Sequence, residues 1–474
     1  MNGQPFIGLP IDPSVATPLF EQIYEALRHR IVSGQISVGS RLPPSRSFGE
    51  ELGVSRTTVV TAYDQLIAEG FAQGRTGSGV YVSNIGAVEI EPMPAPPNTM
   101  AKPSLKPLRP FRPGHPDMRL FPHRQWGQCV ARTARTDPQA LTMQSDPFGD
   151  ASLRTAIADY LAEWRAMQVQ PEQILITAGA SDALEVCVRT LTGPGDVIAM
   201  ENPGYPVLRT LIQSLKLKTA WLEVDEHGAQ VPTTAPTPVM SILTPSSQFP
   251  LGGAMPLARR RDFLNWSEKN AGWIVEDDYD SEFRYAGRPI RALSSFNTHK
   301  DRHARTLYIG SFSKVFSDTL RLGYLVVPHN LITQVGATLD RFGTKASLMP
   351  QRPLAAFMQD GGFYRHIRRM RRIYGERRRT LIGLLRAYLD DERVQWRDHH
   401  GGMHIAVHLP PDCDDIVMST RAAAAGLICP PLSAYCAGPA QQRGLLLGFC
   451  SFSNEEMESA MPTLARIVID TLNA

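Results

Sequence analysis

Two folding units of different class are predicted, a small and mainly helical one at the N-terminus and a large α/β one built on a mainly parallel sheet. Three observations carry this. Nine prolines fall between Asn84 and Pro116, a density that leaves neither a helix nor a full sheet ladder, so the stretch reads as a semi-rigid spacer rather than a loop inside one domain. Ahead of it, apolar residues recur at helical spacing. Behind it, short apolar runs alternate with helical segments, the pattern of parallel strands joined by helices. The expected boundaries are 13–83 for the first unit, 84–109 for the linker and 110–474 for the second.

Composition agrees and narrows the classes. The 474 residues suffice for several cores, at roughly 100–200 residues each. Hydrophobic residues at 43% and charged residues at 20% exclude a wholly disordered or fibrous chain. A net charge of +3 is too small to mark a nucleic-acid binder by itself, so any DNA contact must come from local clustering. The six cysteines form no C-x-x-C pair and no zinc spacing, so reduced thiols and no metal are expected. The first residues lack a basic segment followed by an apolar one, and no run nears the roughly eighteen apolar residues of a membrane span. A cytoplasmic location and no membrane partner are expected.

In the first unit, Leu19, Ile23, Leu27 and Ile31 recur four apart and predict a helix over 18–32. Ser45 is the expected cap of a helix over 46–52 that stops at Gly53, and Ser55 caps the next, 56–69, which stops at Gly70. Two helices across a tight glycine-containing turn make a helix-turn-helix, whose second helix offers its first residues to the major groove of DNA. Those residues are Ser55, Arg56, Thr57 and Thr58. The glycine-rich turn over 74–79, between short apolar runs, predicts a two-stranded wing with Arg75 near its tip. The region is not basic overall: residues 1–83 hold six arginines and no lysine against seven acids. The arginines, however, sit in the segments that would face DNA. RLPPSR (41–46), LGVSRTTV (52–59) and GSG (77–79) together resemble a GntR-type winged helix, which implies DNA contacts by Arg41, Arg46, Arg56, Thr57, Thr58, Arg75 and Gly79.

In the second unit, the apolar runs at 174–177, 196–200, 273–277, 306–310 and 323–327 are the expected strands. The segment 308–324 places Lys314 after one of them, behind a serine-rich turn and ahead of Arg321. A lysine in a sheet-end cleft suits an aldehyde cofactor that carries a phosphate: the amine forms a Schiff base, and Ser311, Ser313 and Arg321 neutralise the dianion. Upstream, Asp277 ends an apolar strand with Tyr279 two residues on; a buried carboxylate can hold a pyridine nitrogen protonated, and a phenol can bond the ring oxygen. Gly179, Ala180 and Ser181 lie between a strand and a helix, where backbone N–H groups are a ready anion site. Tyr205 could stack on a cofactor ring or belong to the core.

Taken in order, 111–122 (FRPGHPDMRLFP), 146–149 (DPFG), 178–181 (AGAS), 201–205 (ENPGY), 244–250 (TPSSQFP), 276–280 (EDDYD), 311–314 (SFSK) and 321–324 (RLGY) resemble a fold-type-I, aspartate-aminotransferase-like domain. Joined to the GntR-type winged helix, it resembles the MocR/GabR regulators. That resemblance implies pyridoxal 5'-phosphate on Lys314, operator DNA as partner, an amine or amino-acid-like effector sensed through aldimine chemistry, and a head-to-tail homodimer. Three positions depart from the enzymes. The arginine that clamps a substrate carboxylate aligns with Leu446, an asparagine that touches the cofactor aligns with Phe249, and a phosphate-contacting tyrosine aligns with Gln144. Complete transamination is therefore doubtful, and the competing reading is an active aminotransferase with an appended helix-turn-helix. Arg209 or Arg352 could supply a substitute anion site. Residues 351–379 hold nine arginines and two acids, and the helix over 364–379 reads first as a surface that pairs with acids across a dimer, with phosphate contact as the alternative.

Overall fold

In a computed structural model of the chain, the described residues are 8–9, 11–15, 17–85, 109–143, 146–233, 235–296, 304–439 and 442–473. Most of the predicted linker and Gln144 lie outside them. The chain divides into two units, Met1–Leu105 and Lys106–Ala474.

The first unit has helices Leu19–Val32, Ser45–Leu52 and Arg56–Ala68, then an antiparallel hairpin of β1 (Ala72–Arg75) and β2 (Gly79–Val82). The four-residue apolar spacing buries Ile23, Leu27 and Ile31 against Phe48, Val59 and Leu66. Gly53 ends the second helix in the left-handed conformation at φ 69°, which glycine adopts without a steric penalty. Ser55 caps the third helix as expected, its hydroxyl accepting from the Thr58 N–H at 3.1 Å. Ser45 does not cap the second: it is the first helical residue, and Pro44 holds the cap position at φ −58°, where the proline ring already fixes the backbone needed to enter a helix.

The second unit is built on an eight-stranded sheet of β3 (Ile174–Thr177), β4 (Val197–Asn202), β5 (Lys218–Asp225), β6 (Gly228–Ala229), β7 (Met240–Leu243), β8 (Trp273–Asp278), β9 (Thr306–Ser311) and β10 (Gly323–Val326), in the order β3-β10-β9-β8-β7-β4-β5-β6. Pairs among β4, β5, β7, β8 and β9 are parallel; β10 runs antiparallel to both β3 and β9, and β6 antiparallel to β5. Alternate residues feed opposite cores, as a strand's two-residue period demands. Ile174 and Ile176 join one core and Leu175 the other; Tyr308 joins the first, Leu307 and Ile309 the second. Burial on both faces is what the unbroken apolar runs encode. Gly323 lets β10 approach the turn after β3, since a Cβ there would sit 2.9 Å from Gly179 Cα.

A smaller antiparallel sheet of β11 (Gln395–Trp396), β12 (His404–Leu409) and β13 (Arg443–Gly448) packs with helices Gly362–Tyr388, Asp415–Ala424 and Asn454–Leu472. The edge of β13 also carries the segment that opens the unit, because Gly448 N donates to Phe111 O at 2.8 Å. The arginine-rich segment lies within one 27-residue helix, Gly362–Tyr388, longer at both ends than its charge pattern suggests.

The first unit rests on few large side chains, and Phe48 is fully buried among them. Phe48→Ala is expected to cost about 3–5 kcal/mol, a large share of the stability of a unit this small. Scanning calorimetry of the full chain should then show an early transition that the native protein lacks.

Candidate functional site

In the first unit, the start of the third helix presents Ser55, Arg56 and Thr57 exposed and Thr58 half-buried. The Ser55 hydroxyl lies 2.8 Å from the hydroxyls of both Thr57 and Thr58, so the cap also orients the two threonines. At the wing, Arg75 stacks on Tyr81 at 4.5 Å. Arg41 is bridged to Tyr81 through the backbone and folds over Gly79, where a Cβ would come within 2.8 Å of Arg41 Nε. The wing thus brings Arg41, Arg75 and Gly79 together. Arg46 is exposed beside Glu50 at 3.6 Å, a surface pair of little energetic weight. Glu69, at the opposite end of the third helix about 20 Å from Arg56, accepts from Tyr24 and Gln65.

In the second unit, the carboxyl ends of the parallel strands converge on a cavity of about 190 Å³. Open α/β sheets place ligands at such an edge. Lys314 reaches it from a single helical turn, Phe312–Val315, that leaves β9 under the cap of Ser311, whose hydroxyl accepts from Ser313 N at 3.2 Å. Buried Phe312 and Val315 anchor that turn. Lys314 Nζ donates to Gly114 O at 2.7 Å. Burial lowers its proton affinity and the Arg112 charge acts the same way, against Asp318, Asp280 and Asp277, which raise it.

Opposite stands Asp277, at the end of β8. Its Oδ1 is sealed from solvent and has no hydrogen-bond partner among the described residues. Burial foremost, then the neighbouring Asp278, pushes its pKa up to about 7, with Lys314 pulling the other way. Tyr279 lines the same cavity, with its hydroxyl 3.3 Å from Ser247 Oγ. Ala180, the first residue of helix Ala180–Leu191, and Ser311 line the cavity as well.

Of the residues singled out from sequence, the cavity brings together Ala180, Tyr205, Asp277, Tyr279, Ser311 and Lys314. Gly179, Ser181, Ser313 and Arg321 stand outside its lining. Gly179 and Ser313 lie beside each other, since a Cβ on Gly179 would lie 4.0 Å from Ser313 Oγ. Ser181 and Arg321 are exposed, and Arg321 takes a left-handed φ of 52°.

The departures become physical here. Leu446 is fully buried on β13, and Phe249 and Tyr435 pack over its cluster. Phe249 fills the cavity wall, with edge-on rings from Tyr205, Tyr279, His404 and Tyr435 at 5.3–6.0 Å. Neither substitute arginine is free to act: Arg209 donates to the carbonyls of Tyr435 and Cys436, and Arg352 bridges Asp137 at 2.9 Å and Asp150 at 2.8 Å. In the long helix, Arg371 donates to Glu282 O, Arg377 pairs with Asp117 at 2.9 Å, and Arg378 pairs with Asp398. Arg368, Arg369, Arg372 and Arg379 are exposed.

His404 and Tyr435 line the cavity without having been read from the sequence. For His404 a signal existed, an imidazole at an inward position of the apolar run HIAVHL. For Tyr435 there was none, since it reaches the cavity from a short 3₁₀ turn, Leu432–Tyr435.

Residues 19–82 match the family model "Bacterial regulatory proteins, gntR family", and residues 122–461 match "Aminotransferase class I and II". The probable rhizopine catabolism regulatory protein MocR of Rhizobium meliloti is 34% identical, over 96% of this chain and 95% of that protein. This chain belongs to the MocR-type transcriptional regulators. The pyridoxine biosynthesis regulator PdxR of Corynebacterium glutamicum is 33% identical, over 97% of this chain and 98% of its own. The large unit of this MocR-type chain has the fold of a kynurenine aminotransferase from Pyrococcus horikoshii, with a TM-score of 0.70 at 22% identity over 77% of this chain and 92% of that one.

The raised Asp277 has a thermodynamic sign. Its folded pKa lies above the unfolded value, so the folded state binds the extra proton and stability falls as pH rises from about 4 to about 7. In protein free of small ligands, Asp277→Asn should exceed the native chain in stability at pH 8, by on the order of a few kcal/mol, and the difference should close at pH 4. Urea unfolding at the two pH values measures it.

Proposed function

We propose that this protein is a DNA-binding regulator that holds pyridoxal 5'-phosphate on Lys314 and responds to an amine or amino-acid-like effector. The observation that carries this is that Asp277, whose Oδ1 is sealed from solvent and unpartnered among the described residues, lines the same cavity as Lys314. A buried carboxylate without a donor is expensive, and a protonated ring nitrogen is the donor that satisfies it. The residues present fit the group at its other points as well: Tyr279 for the ring oxygen, Tyr205 and Phe249 beside the ring, and Ser311 with the helix start at Ala180 for the phosphate.

When bound, pyridoxal phosphate supplies an aldehyde carbon that takes up a primary amine reversibly. Lys314 is the resident amine. Its lowered proton affinity keeps more of it in the nucleophilic form, and Gly114 O receives its hydrogen bond whenever it is displaced. Asp277 keeps a proton at the ring nitrogen, and the surrounding aromatic rings exclude water. An effector amine competes with Lys314 for one position and favours whichever conformation of the large unit accommodates it. Switching most of the population takes about 5.5 kcal/mol of preference for one state. The winged helices of a dimer transmit that shift to operator DNA, with Arg56, Thr57 and Thr58 at the major groove and Arg41, Arg75 and Gly79 at the wing. Leu446, together with the engaged Arg209 and Arg352, favours this reading over a working aminotransferase.

Protein supplied with pyridoxal phosphate should absorb in the visible band of a protonated imine, and Lys314→Ala should abolish that band. A spectrum unchanged by the substitution overturns the assignment. Arg56→Ala should weaken operator binding by about 1–3 kcal/mol, measured by fluorescence anisotropy at fixed salt, while the imine band stays intact.

A further inference from the structure

What lies opposite Lys314 decides which amines the cavity can hold. Among the described lining residues, Asp277 and Lys314 are the charged ones, and none is an arginine. Leu446 occupies the strand position beneath Phe249, and Arg209 and Arg352 are spent on other partners. The wall holds His404 instead, the first residue of β12. Its Nε2 lies 3.0 Å from Pro250 O. A carbonyl oxygen only accepts, so Nε2 carries the proton. Burial holds the imidazole pKa down at about 4, so the ring is neutral and Nδ1 is a bare acceptor. The Phe249 ring stands edge-on to it at 5.8 Å and fixes its plane. Among the described residues no donor meets Nδ1, and it is not among the atoms sealed from solvent without a partner.

Resting on the amine-sensing reading above, we propose that His404 is the specificity-determining residue of the effector site. Its Nδ1 accepts from a hydroxyl or amide N–H on the effector. The site therefore takes amines that bear such a neutral donor and rejects those that bear a carboxylate. An anion in this cavity would meet a second lone pair and the Asp277 carboxyl with no guanidinium in the described lining to balance it. A donor satisfies the imidazole, and a site built to bond one group rejects the analogue that lacks it.

The test uses the full chain loaded with pyridoxal phosphate. Calorimetric affinities are measured alongside the imine band for amino alcohols of two to four carbons, for the plain alkylamines and for the ω-amino acids of matching length. One amino alcohol should bind about tenfold more tightly than its alkylamine, one hydrogen bond's worth, with the ω-amino acid weakest. In His404→Phe the ratio of amino alcohol to alkylamine should fall to about one. An ω-amino acid binding most tightly, or a ratio that survives His404→Phe, overturns the proposal. Should the variant fail to fold, the native ranking decides alone. A chain that never shows the imine band overturns the amine-sensing reading instead, and the two failures are thereby told apart.

Discussion

A carboxyl oxygen taken out of water and given no partner is the constraint around which the large unit is arranged. Asp277 is not alone in it. Glu276, Asp278, Asp280 and Glu282 follow or precede it in one short run, the first three buried and Glu282 half-buried. The fold answers Glu276, Asp278 and Glu282 from within, whereas both carboxyl oxygens of Asp280 have no hydrogen-bond partner among the described residues. Arg165 meets Asp278 at 2.8 Å and Glu276 at 3.8 Å, Tyr308 donates to Asp278, and Tyr160 donates to Glu282 at 2.5 Å. A single buried guanidinium thus ties a helix flanking the sheet to the end of β8, where stripping one partner would leave an uncompensated charge. Asp277 is left outside that network and opens on the cavity. Its raised pKa records the penalty, and a small cationic donor is the means of removing it.

The loop that forms the cavity's far wall is held by a second buried acid. Glu201, at the end of β4, receives the N–H and the hydroxyl of Thr244 and the amide of Gln248. Phe249 N then donates to Thr244 Oγ1 at 3.0 Å. This places the Phe249 ring by a chain of hydrogen bonds rather than by packing alone. Burial pushes Glu201 up to about 7 against those bonds, so the wall is firm only while its donors stay in place.

Much of this was legible, and the parts that were not share a cause. The first unit was read nearly to the residue, because its signals are local: Ser55 before a helix, Gly53 and Gly70 after helices, a glycine turn at the wing. The five apolar runs became β3, β4, β8, β9 and β10 for the same reason. β5 was missed because it lies near the sheet edge, where KTAWLEVD keeps much of its length partly exposed and carries no apolar run. The antiparallel course of β10 also escaped notice, though only residues 312–322 separate it from β9, too few to hold an ordinary crossover helix. Lys314, Asp277 and Tyr279 could be matched by motif. The engagement of Arg209 with Tyr435 and Cys436 could not, because those partners lie 226 and 227 positions away and no local pattern reports them.

The same distance separates a site's motif from its chemistry. The lysine, aspartate and tyrosine are the residues that the resemblance to aminotransferases implies, and they line one cavity. What distinguishes this chain lies on the other wall: Leu446 where a clamp is expected, Phe249 packed over that leucine's cluster, and His404 held neutral by its bond to Pro250. Each makes sense beside the others. A guanidinium at 446 would be buried among Ala406, Leu432 and Phe249 and would need a carboxylate to be tolerated. A leucine there needs nothing, and its apolar surroundings suppress charge on the neighbouring imidazole. The wall is therefore a consistent neutral surface, and it lacks the guanidinium with which a charged wall would grip a carboxylate.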